Sequence, residues 1–146
     1  MRRPLLCIAA VAFGCGGSSD VRQLSVGGTY STAVALLPAG NTCGAVQVQN
    51  NPTVVAHAPG AATLSLTHAG TSYSGTVTNN SGDVSPAGAF SVPATDVGAG
   101  AFTISIAGQF TATGFTATVH VVQHQPSCQY DVSWVGTKSG PPNTFP

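Results

Sequence analysis

Residues 115–121 read Phe115-Thr116-Ala117-Thr118-Val119-His120-Val121, apolar at every odd position and polar at every even one. In an extended chain successive side chains point to opposite faces, so this period of two predicts a strand with one face in a core and one in water. The pattern recurs outward from this stretch. Phe102, Ile104 and Ile106 alternate with Thr103, Ser105 and Ala107, and Ala62, Leu64, Leu66 and His68 with Thr63, Ser65 and Thr67. Cys128, Tyr130, Val132 and Trp134 alternate with Gln129, Asp131 and Ser133. Apolar residues do not recur at helical spacing. The chain reads as all-β, built from antiparallel strands with one solvated face.

Clusters of Gly, Asn, Asp and Pro separate these runs, at 38–41, 50–52, 58–60, 69–71, 79–83 and 97–100. These residues supply the backbone angles that tight turns need. They divide the chain into expected strands at 26–37, 44–49, 53–57, 61–68, 71–79, 87–92, 101–108, 109–122 and 127–136, with Gly108 and Gly114 where a long strand would bend. Short connections favour pairing in chain order. The expected fold is a single antiparallel meandering β-barrel of eight to nine strands, a β-sandwich being the alternative. Residues 137–146, with Pro141, Pro142 and Pro146, read as an irregular C-terminal tail.

The first residues carry a different message. Arg2 and Arg3 precede an apolar run from Leu5 to Phe13 that ends at Gly14-Cys15, the layout of an export signal. The Cys at its close resembles a bacterial lipoprotein signal. That resemblance implies a signal peptide over 1–14, and an acylated Cys15, carrying chains such as palmitate, as the first mature residue. Residues 15–25, including Gly16-Gly17-Ser18-Ser19, then form a flexible tether, with the barrel domain over 26–136. In Gram-negative lipoproteins an Asp directly after the Cys retains the protein at the inner membrane; Gly16 stands there, which implies the outer membrane. The rival reading is a secretory signal cut after Ala10-Val11-Ala12. The apolar run is too short to span a bilayer, which takes about 20 residues.

After such a signal only Arg22 and Lys138 oppose Asp20, Asp83, Asp96 and Asp131, and there is no Glu. So little positive charge argues against nucleic acid as a partner. Cys43 and Cys128 remain as an even pair in an exported domain and are expected to form a disulfide. A crosslink closing so long a loop is worth up to about 4–5 kcal/mol in the chain-entropy account. A metal site at these cysteines would need a ligand spacing that neither has.

The start of the domain, Gly28-Thr29-Tyr30, resembles the Gly-x-Trp that opens the first strand of lipocalin-like barrels, with Tyr30 in place of Trp. That family also carries a basic residue near the end of its last strand, a role for which Lys138 is available. The resemblance implies a cup that holds a small apolar ligand. Tyr30, Tyr73, Phe90, Phe102, Phe115, Tyr130 and Trp134 all fall on faces assigned inward. They either line such a ligand or simply pack the core.

Catalytic residues are sparse. There are no paired carboxylates for glycoside hydrolysis and no Gly-x-Ser-x-Gly elbow, and Ser74 lies in ordinary strand sequence. Asp131, His120 and His124 are expected on the solvated face, the two histidines about 13 Å apart along the strand. His68 continues an inward face and is expected to bond a backbone carbonyl at the barrel end. No metal or cofactor signature appears. The sequence points to a non-enzymatic, membrane-anchored envelope lipoprotein that acts as a structural or protein-interaction module. Binding of a small apolar ligand is the alternative, and a hydrolase has the least support.

Overall fold

The computed structural model describes residues 22–80 and 86–146. The signal, Cys15 and residues 15–21 of the tether lie outside them, as does Asp83. Eight strands follow in order: β1 (Gly28–Leu37), β2 (Asn51–Ala56), β3 (Thr63–His68), β4 (Thr71–Val77), β5 (Ala89–Val97), β6 (Phe102–Thr111), β7 (Gly114–His124) and β8 (Ser127–Ser139). Each pairs antiparallel with the next, and β8 returns to β1 from Thr29↔Ser139 to Leu37↔Asp131, closing the barrel. This is the meander expected, and the sandwich alternative falls away. Among the described residues there is no helix.

The expected alternation sets the wall. The inward positions hold Tyr30, Val55, Leu64, Leu66, Tyr73, Val77, Phe90, Val92, Ile106, Phe110, Phe115, Val119, Val121, Val132 and Trp134, all buried. The outward positions are largely Ser, Thr and Ala, with Val54 and Val135 the large apolar side chains exposed there. The lower end is defined by the starts of β1 and β3 and the β6–β7 turn. The upper end carries the β3–β4, β5–β6 and β7–β8 turns and the long β1–β2 connection.

Several boundaries differ from those expected. Residues 44–49 form no strand. They belong to the β1–β2 connection, which side chains hold in place: Asn50 Oδ1 accepts from the Val34 N–H (2.8 Å) and Asn41 Oδ1 from the Cys43 N–H (2.8 Å). The predicted break at Gly108 is also absent. β6 continues to Thr111 and turns at Ala112-Thr113. Gly108 serves close packing instead, since a Cβ there would come within 2.5 Å of the Thr116 carbonyl and 2.6 Å of the Phe90 ring. β5 extends past residue 92 through a bulge to Val97, and β8 runs on to Ser139.

The segments expected to be tether and irregular tail close the lower end. Leu24 of the expected tether and Asn143 of the expected tail are buried, as is Val26, which was expected in the first strand and precedes it. Ser25 and Thr144 exchange backbone hydrogen bonds of 3.0 and 3.1 Å. The expected disulfide is present, Cys43 to Cys128 with an S–S distance of 2.03 Å. It fastens the β1–β2 connection to the start of β8 at the upper end, beside the bond from the Thr42 N–H to the Gln129 carbonyl (2.9 Å).

Candidate functional site

All seven aromatic residues picked out from the sequence lie on the inner face. Tyr30, Tyr73, Phe90, Phe115 and Trp134 are buried, while Phe102 and Tyr130 are partly buried at the upper end. In the lower half Tyr30, Phe90 and Phe115 form a cluster around Phe110, which the sequence reading left out. Phe110 lies 4.7 Å from Phe90, 5.8 Å from Phe115 and 6.0 Å from Tyr30 between ring centroids. Each such pair adds about 0.5–1.5 kcal/mol beyond its buried area. Small inward residues make room for these rings, as Gly136 does for Phe115 and Gly108 for Phe90. This half is a packed core.

Beneath the cluster, polar groups lock the chain ends in place. The Tyr30 hydroxyl shares its proton between the Val26 carbonyl (2.6 Å) and Asn143 Oδ1 (2.8 Å). Burial pushes its pKa up to about 12, the Asn143 bond offsetting part of the rise. Lys138 Nζ donates to the same Asn143 oxygen (2.7 Å) and stands 5.8 Å from the centre of the Tyr30 ring. Tyr30 and Lys138, the two positions on which the lipocalin resemblance turned, are thus direct neighbours across β1 and β8. Gly28 makes this possible, because a Cβ there would meet Lys138 Cε at 2.9 Å. Partial burial lowers the Lys138 pKa.

In the upper half a polar line crosses the interior. His68 stacks on Trp134 at 4.2 Å and its Nδ1 lies 2.9 Å from the Thr53 hydroxyl, which is 2.8 Å from that of Thr32. Its partner is therefore a side-chain hydroxyl, where a backbone carbonyl was expected. Burial lowers the His68 pKa. Around it the wall residues Val34, Leu36, Val97, Phe102, Ile104 and Tyr130 are only partly buried. Val48 of the β1–β2 connection packs against the core as well, so the upper end is covered in part and keeps some apolar surface exposed, whereas Leu24, Val26 and Asn143 seal the lower end.

The remaining histidines hold no common ligand position. His57 Nδ1 accepts from the Val26 N–H (3.4 Å), which leaves Nε2 to donate to the Ala61 carbonyl (3.0 Å) at the lower end. His120 and Asp131, expected as independently solvated groups, form a pair at 2.6 Å on the outer wall, with side chains 44% and 35% exposed. Ser105 stands across from His120 on β6, so Ser, His and Asp align on three strands. Ser105 makes no hydrogen bond to His120 among the described residues, and the row lies on open wall where the flanking amides are spent in the ladder. His124 donates from Nε2 to the Thr103 hydroxyl (2.8 Å), because that hydroxyl's proton goes to Asp96 (2.5 Å). Among the described residues no three His, Cys or acidic side chains group as metal ligands.

No protein-family model matches the chain, and neither a curated protein nor a solved structure does.

Proposed function

We propose that the protein is an exported, lipid-anchored envelope module that acts without catalysis, by presenting the upper end of its barrel to a protein partner. The observation that carries this reading is the difference between the two ends. The lower end is sealed by Leu24, Val26 and Asn143, and it is the end from which the chain leads back toward Cys15. The upper end is held by the Cys43–Cys128 disulfide and shows partly buried apolar side chains. An anchor at Cys15 turns the sealed end to the membrane and the partly exposed apolar side chains of the upper end away from it.

Fractionation of the native host tests the anchor. Wild-type protein is expected with membranes, and Cys15→Ala in the soluble fraction or as unprocessed precursor. The orientation is tested with single cysteines at exposed Ala101 and Ala58, at the upper and lower ends. A soluble thiol reagent should reach the first faster on intact membranes and both equally after detergent. Wild-type protein that is fully soluble, or equal labelling on membranes, rejects the reading.

A second reading, a small apolar ligand at the upper end, is favoured by the partly buried side chains of Leu36, Phe102, Ile104 and Tyr130. It predicts saturable quenching of Trp134 by a fatty acid. The packed lower half leaves such a ligand only the upper part of the barrel.

A further inference from the structure

We infer that the β1–β2 connection is a redox-released strap: reduction of Cys43–Cys128 by a dithiol frees it, uncovers apolar side chains at the upper end and leaves the barrel closed. This goes beyond the interaction reading and holds whichever partner the upper end meets. The wall closes without the crosslink. β1 and β8 pair from Thr29↔Ser139 to Leu37↔Asp131, and β7 holds the start of β8 through Gln123↔Cys128 and His124↔Ser127. The disulfide joins Cys128, inside that ladder, to Cys43, which lies in no strand.

The connection has few other ties to the barrel. The β1–β8 ladder ends at Leu37↔Asp131, and beside Gln129 the place of β1 is taken by Thr42. The Thr42 N–H donates to the Gln129 carbonyl (2.9 Å), and the Thr42 hydroxyl accepts from the Gln129 N–H (2.9 Å). This pair adjoins the disulfide, one residue before Cys43 and one after Cys128. At the far end Asn50 Oδ1 accepts from the Val34 N–H (2.8 Å). The bonds of Asn41, from the Cys43 N–H and to the Gly44 carbonyl (both 2.8 Å), stay within the connection. Among the described residues no backbone hydrogen bond ties Ala45–Val48 to the barrel. Apolar contact holds that stretch instead, Val48 being partly buried against the core. A segment with few backbone bonds and one apolar anchor belongs to the low-stability end of a fold, and opens ahead of the ladders once its crosslink is cut.

The bond is placed for exchange. Cys43 and Cys128 are both partly exposed, and their neighbours Thr42, Gly44, Ser127 and Gln129 are exposed, so a dithiol has access to it. One thiolate of the dithiol bonds to one cysteine sulfur, and the other cysteine leaves as a thiolate. The second thiol of the dithiol then attacks the mixed bond and releases the first cysteine. Two electrons and two protons pass to the protein, which gains two thiols, and the dithiol becomes a disulfide. Val48 then leaves the core, and Leu36 and Tyr130, partly buried at the same end, gain exposure. Reoxidation restores the cover.

The test treats the disulfide-bonded chain with dithiothreitol in native buffer and follows amide exchange and the fluorescence of a dye that binds apolar surface. Reduction should quicken exchange at Thr42, Gln129 and Val34 by about five-fold or more, as the loss of one hydrogen bond gives. Dye fluorescence should rise, while Val119 and Val132 stay protected. The double variant Cys43→Ser, Cys128→Ser should show the same state without reductant. Val48→Asn, made with the disulfide intact, should raise dye fluorescence while Thr42 and Gln129 keep their protection. A bond that dithiothreitol leaves intact in the folded chain overturns the proposal, as does unchanged exchange at Thr42 after full reduction. Loss of protection at Val119 together with Thr42 shows that the barrel opens as a whole and overturns it too. Unchanged dye fluorescence in Val48→Asn overturns the covering role.

Discussion

His68 lies flat against Trp134, ring centroids 4.2 Å apart and planes 29° apart, with its Nδ1 held by the Thr53 hydroxyl. The stack joins β3 to β8 across the barrel. It makes the single Trp of the chain a reporter of one imidazole.

Burial holds the His68 pKa below its ordinary 6.5, so the folded state favours the neutral ring. The unfolded chain then binds the extra proton first as pH falls. The stability that His68 contributes is complete above pH 6.5 and is lost as pH drops toward the lowered folded value. Urea midpoints should fall from neutral to mildly acid pH, with Trp134 emission quenched over the same range. His68→Gln should flatten both; an unchanged slope would place the effect elsewhere.

The disulfide closes a loop of sequence separation 85 and fastens a connection with no strand of its own. Reduction should cost up to about 4–5 kcal/mol. Chemical denaturation with and without reductant measures the loss. Cys43→Ser should lose a similar amount and form dimers through the free Cys128.

Gly136 faces the ring of Phe115, and a methyl there overlaps it. The ring is hemmed in by Tyr30 at 5.2 Å and Phe110 at 5.8 Å and has little room to yield. Gly136→Ala should therefore destabilise by about 1–3 kcal/mol. Phe115→Leu in the same chain should recover part of the loss, and independent, additive effects would contradict this account.

Asn143 accepts from Tyr30 and Lys138 through one oxygen and donates to the Thr111 carbonyl (2.7 Å). Asn143→Ala takes this partner from the Lys138 ammonium and the Thr111 carbonyl, while the Tyr30 hydroxyl keeps the Val26 carbonyl, and should cost about 1–3 kcal/mol. Hydrogen exchange should quicken at Thr144 and Ser25 before the barrel strands respond.

Much of this fold is legible in the sequence because alternation reports facing directly. The strands around Leu64, Ile104, Val119 and Val132 follow from it, as does the inward setting of all seven aromatics. Residues 44–49 mislead because Val46 and Val48 alternate with Gln47 and Gln49 like a strand. Only Val48 packs on the core, and period alone does not reveal a pairing partner. Phe110 was hidden by reading Gly108 as a break, although the series Phe102, Ile104, Ile106 extends to it without a change of phase. The His120–Asp131 pair depends on the β7–β8 register, which joins residues 11 apart in sequence.

Ser25 and Thr144 leave the barrel side by side. A reporter fused after Pro146 therefore emerges at the same pole as the chain leading back to residue 15, so on an anchored protein it is wedged between barrel and bilayer. A tag set into the β5–β6 turn at Gly98–Ala101 stands at the opposite pole, clear of the lipid.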